Sequence, residues 1–528
     1  MKLKFLVFSA LLTFSGVFAQ QYKIETVTYN ITGATWKYSI EENIKIDKKR
    51  VFTSEQEFMS YFRDLQQRFY NERIFESATL DFTITAPAKS LPNDKEANGD
   101  DAGMQNTMPE QEGLYLVHIT VTTVDSHHFL LVPYPKYNSN SGTTIKLKVK
   151  DTNFLGSMEE LSGDISFAIE TDNEDRGKDY VFGLSADFGI PFPAGVFKAK
   201  WINSWAVSFT VGEDMPEWNV STGIVLSLPF DKFSLDWTFK QSTAHDFDYI
   251  KYGDEFYYTE YAEFAIPITL HEIDNWGKVY YTPLISATYN WDTDGIDKDN
   301  DDLSSPFYKI GHGLSTERVN WYGNFRHGLS LKFDQYIGYN TQRYDIVPFV
   351  SGEAKIFLAF KYLGMNMDAY AFASKNSTTK IGGRLRGIKD DQKYSTGDPE
   401  IDSHYATRPD SAIVVNMDMP FHILTFNFSD SKHLHFLRVF DCELQIAPFF
   451  DFALLRNKAT NTHLWFKDGF YAGGLEFLVF PQKWRSLVVR ASAGIDLGRI
   501  IVPSSYINKD WRKEVSKYEI EIGVGLHY

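Results

Sequence analysis

The 528-residue sequence predicts an all-β transmembrane barrel of about 16 antiparallel strands, preceded by one small α+β domain. Aromatic residues make up 16% of the chain, although its mean hydropathy is only −0.30. A transmembrane β-barrel combines these properties because each strand turns only alternate residues toward lipid. From Thr143 onward, segments of about ten or more residues alternate with a period of two. Strands of that length disfavour a soluble sandwich or propeller, whose strands typically have about five or six residues.

Composition excludes several other classes. The net charge of −16 provides no cationic surface, so nucleic acid is not an expected partner. The single cysteine, Cys442, excludes a disulfide scaffold and lacks the sequence signature of a cysteine enzyme. After the N-terminal segment, no apolar run approaches the roughly 20 residues of a membrane helix.

The first 19 residues have the pattern of a secretory signal peptide. Lys2 and Lys4 form a charged start, an apolar stretch follows, and Ala19 supplies the small residue for cleavage. This position and these flanks favour a signal peptide over a buried amphipathic helix, so we expect residues 1–19 to be removed from an exported protein.

Residues 20–128 predict the small α+β domain. Two overlapping capping-box patterns in Thr53–Glu57 indicate the start of a helix. An apolar stripe at four- and three-residue steps continues it through Phe58, Phe62, Leu65 and Phe69. Three strands are predicted around this helical region, with a polar, disordered insertion near 86–112 before the last of them: Tyr22–Tyr29, Ala78–Thr85 and Leu114–Val124.

Residues 129–528 predict the barrel, whose clearest strands lie at 278–292, 327–340, 344–360 and 517–528. The segments number sixteen or seventeen, depending on whether Pro306–Val319 is a strand or part of a loop. If both ends of the barrel lie in the periplasm, the number must be even, which favours sixteen.

Two motifs and this domain order resemble the BamA/TamA family of outer-membrane assembly proteins. Asn71–Ala78, followed by LDFTI, is similar to the end of the second helix and the next strand in that family's POTRA domains. Thr143–Gly156 resembles the family's first barrel strand and the turn after it. The resemblance implies one POTRA-like periplasmic domain and a surface-antigen-type barrel.

The segment GGRLRGI at 382–388 resembles the VRGF/VRGY signature of the family's inward-folded loop. By that resemblance Arg386 and Gly387 form a loop lock, with Asp418 and Asp451 as acidic partners on the barrel wall. A carboxylate partner is physically required, because an unpaired arginine inside a barrel would be costly. Ile388 departs from the family pattern, which has an aromatic residue there. The alternative is that Arg384 and Arg386 are solvated loop charges.

The last eight residues resemble the β-signal of outer-membrane barrels. The matching positions are Glu521, Gly523, Leu526 and Tyr528, and Gly525 stands where the family's last strand has a kink. Glycine weakens strand packing, so we expect this closing strand to pair poorly at that end. The alternative is an ordinary closing strand with two small residues facing the lumen.

The resemblance implies an assembly and insertion factor in the bacterial outer membrane, with its N-terminal domain in the periplasm. Its partners would be outer-membrane lipids, unfolded outer-membrane protein clients and assembly lipoproteins. Clients would bind the periplasmic domain and use a lateral seam between Thr143–Asp151 and Lys517–Tyr528. The alternatives are a two-partner-type secretion pore and a passive porin or surface antigen.

No motif predicts an enzyme, a metal site or a cofactor. The acidic segment DTDGIDKDNDD lacks the glycine and glutamate that an EF-hand counted from Asp297 would require. His127 and His128 have no further ligand at zinc spacing. No nucleophile, base and orienting acid occur together in a recognisable pattern.

Overall fold

A computed structural model describes residues 20–85, 114–138, 142–173, 177–273, 277–292, 294–388, 407–430, 435–458, 462–502 and 518–526. The predicted signal peptide, the insertion near 86–112 and Tyr528 lie outside these ranges. Within them, no helix combines the length and apolar character needed to cross a membrane.

The N-terminal domain is a four-stranded sheet covered by two helices. Its spatial strand order is β2-β1-β4-β3; β1 runs parallel to β4, and the other pairs are antiparallel. The strands and the helix predicted here are confirmed, and the structure adds a short helix and a short strand. The elements are β1 (Gln21–Thr32), α1 (Lys37–Asn43), β2 (Val51–Phe52), α2 (Glu55–Asn71), β3 (Phe75–Thr85) and β4 (Leu114–Asp125).

Helix α2 begins where the second capping box predicts. The Glu57 backbone N–H donates to Ser54 Oγ at 3.2 Å, and the Glu57 carboxylate accepts from the Thr53 backbone N–H at 2.8 Å. The predicted apolar stripe is buried against the sheet, where Phe58 and Phe62 contact the ring of Phe82. Burial of each large apolar side chain contributes about 1.5–3 kcal/mol, which fixes the helix to the sheet.

The rest of the chain forms an all-β transmembrane barrel, closed by the neighbouring positions of its first and last strands. The strands are β5 (Phe129–Asn138), β6 (Gly142–Asp151), β7 (Leu161–Asn173), β8 (Gly177–Ala194), β9 (Phe197–Thr210), β10 (Glu217–Pro229), β11 (Ser234–His245), β12 (Phe256–Ala265), β13 (Ile268–Ile273), β14 (Gly277–Trp291), β15 (Phe307–Tyr322), β16 (Phe325–Asn340), β17 (Asp345–Ala359), β18 (Gly364–Ser374), β19 (Ser411–Asp418), β20 (Phe421–Phe426), β21 (Cys442–Arg456), β22 (Phe470–Pro481), β23 (Val489–Asp496) and β24 (Tyr518–Val524). A short helix, α3 (Gly498–Ile501), follows β23.

Eighteen antiparallel strands make up the wall in the described residues, where about sixteen were expected. The segments β12 and β13 both pair with β14, and β19 and β20 both pair with β21, so each couple is one interrupted strand. Pro267 and Pro420 lie at these interruptions. Proline has no backbone N–H to donate, so it breaks the ladder of hydrogen bonds there. The uncertain segment at 306–319 is a strand, β15, and β5 is one that the sequence count omitted.

The strand β5 also corrects the position of the predicted seam. Thr143–Asp151 lies in β6, one strand inside the wall, and pairs with β5 on one side and β7 on the other. The seam therefore joins Phe129–Asn138 to Tyr518–Val524. Pro133 and Pro135 hid this strand, because proline disfavours an assignment to the interior of a sheet.

The outer surface carries the apolar side chains that a lipid-facing wall requires. One cross-strand row runs in register over five neighbouring strands and consists of Trp237, Phe264, Ile285, Ile310 and Ile337. Ile285, Ile310 and Ile337 are 53–64% exposed, which would be unfavourable in water and suits hydrocarbon.

Candidate functional site: a loop locked beside the seam

The loop between β18 and β19 folds back against the wall and brings 381–388 into contact with it. Ile381 and Leu385 are buried in one apolar cluster with Val414, Leu455 and Phe470, which lie on the neighbouring strands. Ile388 belongs to the same cluster, so an aliphatic side chain occupies the position where the resembled family has an aromatic one. This packing fixes the loop before any charge is considered.

Arg386 and Asp451 form a buried bidentate ion pair at the centre of the loop. Arg386 Nε lies 2.9 Å from Asp451 Oδ2, and Nη2 lies 2.6 Å from Oδ1. The backbone N–H of Arg386 also donates to Oδ2 at 3.0 Å. The side chains are 2% and 0% exposed, and the guanidinium stacks on the Phe449 ring at 4.0 Å. Such a fork fixes the orientation of the loop as well as its position.

The other predicted acid, Asp418, lies farther from the guanidinium. Its Oδ2 is 3.7 Å from Arg386 Nη1, and its Oδ1 accepts from Asn366 Nδ2 at 2.7 Å. Glu476, which sequence reasoning missed, places Oε2 at 3.9 Å from the same Nη1. The structure therefore brings Arg386 together with three carboxylates, of which Asp451 makes the closest contact.

Gly387 lets the loop approach the wall closely. Its φ of +85° lies in the left-handed region, and a Cβ atom there would come within 2.8 Å of the Gly494 carbonyl carbon on β23. The Gly387 N–H donates to Glu519 Oε2 on β24 at 3.3 Å. The locked loop thus contacts the closing strand directly.

Arg384, the other arginine of the motif, is also bound to the wall. Its Nη1 lies 2.8 Å from Glu353 Oε1 and 3.6 Å from Asp368 Oδ2. Its guanidinium lies 3.9 Å from the centre of the Tyr370 ring. These contacts do not fit the alternative in which both arginines are solvated charges.

Those of the predicted closing-strand residues that the structure describes occupy β24 and the turn after it. Glu521 accepts from Arg490 Nη2 at 3.1 Å, and Gly523 lies opposite Arg490 in the ladder. Gly525 has a φ of +91° and donates its N–H to the Val488 carbonyl at 2.8 Å. Leu526 packs against an apolar cluster beside that turn.

The N-terminal domain contacts one rim of the barrel, here called the proximal rim, which carries the turns at 152–160, 323–324 and 482–488. Arg73 donates to the Asn324 side chain at 2.9 Å and to the Arg485 carbonyl, and it stacks on Trp321 at 4.3 Å. Burial, and to a smaller extent repulsion from Arg485, lowers the pKa of Arg73 to about 10, which leaves the side chain charged at neutral pH. The segment that follows helix α2 is thereby attached to two of these turns.

A second attachment joins the domain to the 152–160 turn. Asn153 Nδ2 donates to Thr35 Oγ1 at 2.8 Å, and the Trp36 N–H donates to the Gly156 carbonyl at 2.8 Å. Lys198 on β9 lies 2.5 Å from Glu42 of the domain. The domain therefore contacts the proximal rim at several separate points of its circumference.

No protein-family model matches the sequence, and no curated protein matches it. Among solved structures, CdiB from Acinetobacter baumannii aligns at 11% identity with a TM-score of 0.49, covering 96% of this chain and 74% of that one. CdiB from Escherichia coli aligns at 10% identity with a TM-score of 0.41, covering 97% and 91%. BamA from Haemophilus ducreyi lacking POTRA domains 1–3 aligns at 10% identity with a TM-score of 0.37, covering 95% and 84%. At these values the function must be argued from this chain's own geometry.

Proposed function

We propose that this protein is a non-enzymatic assembly factor that inserts β-barrel proteins into the bacterial outer membrane, with its N-terminal domain in the periplasm. The observation that carries the proposal is a locked loop that contacts the closing strand β24 of the barrel. The resemblance of 382–388 to the BamA/TamA family, and of the last eight residues to the β-signal of outer-membrane barrels, supports the same function.

Two features of the seam strands support lateral opening. In the described residues the closing strand β24 pairs with β23 at 7 positions, whereas β15 and β16 pair at 16. Pro133 and Pro135 lie in β5, the other seam strand, and neither has a backbone N–H to donate to a ladder. A short strand beside a proline-bearing strand supports a junction that opens laterally at low cost.

An open seam would act as a template for a client strand. Each unpaired backbone N–H or C=O costs several kcal/mol in hydrocarbon, so an exposed strand edge there strongly favours pairing with an incoming strand. The N-terminal domain supplies an earlier binding surface, because the 11-residue strand β3 lies at the edge of its sheet. Extended peptides commonly bind by adding a strand to such an edge.

The test is Arg386→Ala in a strain that relies on this protein. Loss of the bidentate pair with Asp451 should release the loop and lower the amount of folded barrel proteins in the outer membrane. Arg343→Ala is the matched control, because Arg343 also binds two carboxylates, Asp301 at 2.5 Å and Asp345 at 3.0 Å, but lies outside the lock. If client levels and folding rates stay at wild type with Arg386→Ala, the bracing role of the loop is wrong.

Conductance in planar bilayers separates this proposal from a secretion pore or a passive porin. An assembly factor with its domain against the proximal rim should give small, fluctuating currents. Large, steady, ion-selective channels from the purified wild-type protein would favour a pore instead.

A further inference from the structure

A chain of four alternating charges connects the loop lock to the closing strand. It begins at Arg386, whose Nη1 lies 3.9 Å from Glu476 Oε2 on β22. Glu476 Oε1 lies 3.7 Å from Arg490 Nη1 on β23, and Arg490 Nη2 lies 3.1 Å from Glu521 Oε1 on β24. The chain thus crosses three consecutive strands and ends at the seam.

The strand register places Arg490 between the two glutamates. Ser492 pairs with Glu476 on one side and with Glu521 on the other, so Arg490, two residues away on the same face, reaches both acids diagonally. Gly523 pairs directly with Arg490, and a Cβ atom at Gly523 would come within 3.1 Å of Arg490 Nε. The glycine therefore leaves the space in which the arginine lies across β24.

Because Glu476 is buried, its contact with Arg386 and the contact between Arg490 and Glu521 depend on each other. The Glu476 side chain is 3% exposed and has an arginine on each side, whereas the Glu521 side chain is 28% exposed. When Arg386 leaves with the loop, Glu476 loses one of these cations. A buried carboxylate without compensation costs several kcal/mol, so Arg490 is drawn toward Glu476 and away from the better solvated Glu521. The closing strand then loses its side-chain link to β23.

We propose that Glu476 and Arg490 form a charge relay through which release of the loop lock loosens the closing strand. The biological purpose of the relay rests on the proposed assembly function. The coupling itself is a property of the barrel alone. Glu476 and Arg490 act here as positioning residues. Coupling of this kind is reciprocal, so a loosened β24 would also weaken the lock.

The structure also contains a direct link that bypasses the relay, the hydrogen bond from the Gly387 N–H to Glu519. Arg386→Gln would disturb both routes, because it releases the whole loop. A test must therefore ask whether the effect of Arg386→Gln on β24 passes through Glu476.

The experiment is a double-mutant cycle read by hydrogen exchange of the backbone amides at 518–524, in the full-length protein reconstituted in lipid nanodiscs. Arg386→Gln should accelerate their exchange by about fivefold or more, the lower end of typical coupling between sites. In a Glu476→Gln background the same substitution should change exchange by less than about twofold, because the neutral amide no longer competes for Arg490. An Arg490→Gln background should abolish the transmission equally, and it serves if Glu476→Gln does not fold.

Glu353→Gln is the matched control background. It removes a carboxylate that binds Arg384 of the same loop, at 2.8 Å, but lies on β17, away from the seam. The effect of Arg386→Gln on 518–524 should persist there at full size. If the acceleration also persists in the Glu476→Gln and Arg490→Gln backgrounds, the coupling runs through Gly387 and Glu519, and the relay is wrong. An absence of acceleration by Arg386→Gln in the otherwise wild-type protein would overturn it as well.

These exchange rates are measured without clients, so the relay and the assembly function fail independently. Normal exchange coupling in a protein whose depletion leaves outer-membrane proteins unchanged would refute the function alone. Loss of assembly activity in Arg386→Gln without faster exchange at 518–524 would refute the relay alone.

Discussion

The two acids predicted as partners of Arg386 should differ greatly in their importance. Asp451 accepts three hydrogen bonds from Arg386, two from the guanidinium and one from the backbone N–H. Asp418 lies 3.7 Å from the guanidinium and accepts from the Asn366 amide. We therefore expect Asp451→Asn to release the loop much more than Asp418→Asn does.

The magnitudes follow from burial and geometry. Removing one partner of a buried ion pair costs about 3–5 kcal/mol. The Asp451 side chain is 0% exposed, so we expect a cost in that range for Asp451→Asn. Since about 1.4 kcal/mol is a tenfold change, the open population of the loop should rise by about a hundredfold or more. A charged contact beyond hydrogen-bond distance is worth about 1 kcal/mol, which gives about fivefold for Asp418→Asn.

Tryptic cleavage after Arg384 measures this population in the full-length protein. When opening is fast relative to cleavage, the rate of cleavage follows the fraction of open loop. Asp451→Asn should raise that rate by about a hundredfold at low protease concentration, and Asp418→Asn by about fivefold. Equal acceleration by the two variants, or less than about tenfold for Asp451→Asn, would refute the assignment of Asp451 as the main anchor.

Two further predictions concern the loop and the N-terminal domain. Gly387→Ala should speed cleavage after Arg384 by about tenfold or more, because a left-handed φ costs a residue with a side chain about 1–2 kcal/mol and the new Cβ meets the β23 backbone. Gly195→Ala, at a left-handed turn position with open space around it, is the control and should leave cleavage unchanged. Hydrogen bonds from Thr53 and Arg50 lower the pKa of Glu57 below its unfolded value, so its stabilisation is complete above that value and is lost as the pH falls through the lowered pKa. The protection of the α2 amides, taken as the ratio of the intrinsic to the observed exchange rate at the same pH, should therefore fall on acidification more steeply in wild type than in Glu57→Gln, and parallel profiles would contradict this.

Local patterns predicted the elements whose signals are local. The stripe of Phe58, Phe62, Leu65 and Phe69 needs only helical periodicity and an apolar sheet to pack against, and all four are buried in α2. The first barrel strand, β5, was missed for a comparable reason. Its two prolines argue against a strand wherever only local propensity is considered. Its place beside the seam, which makes the prolines tolerable, depends on closure of the whole barrel.

The residues of the charged site also divide into those that a local motif marks and those that only strand pairing brings together. Arg386, Asp418 and Asp451 were recognised through motifs, which mark residue types at short spacing. Glu476 and Arg490 belong to no motif, and their contacts arise from the register of β22, β23 and β24. Register between strands is set by barrel closure and turn geometry, so a single sequence does not reveal which acids face which bases.

The position of the lock within the barrel supports a role in movement over a role in rigidity. A loop that only stiffened the wall could lie against the long strands β15 and β16, where pairing is already extensive. Instead Gly387 meets Gly494 on β23 and Glu519 on β24, whose described ladder has 7 residue pairs, whereas β15 and β16 pair at 16 positions. The Arg386–Asp451 pair on β21 holds the loop in these contacts, which are lost when the loop leaves. The proposed opening of the seam would then depend on a contact that one conformational change removes.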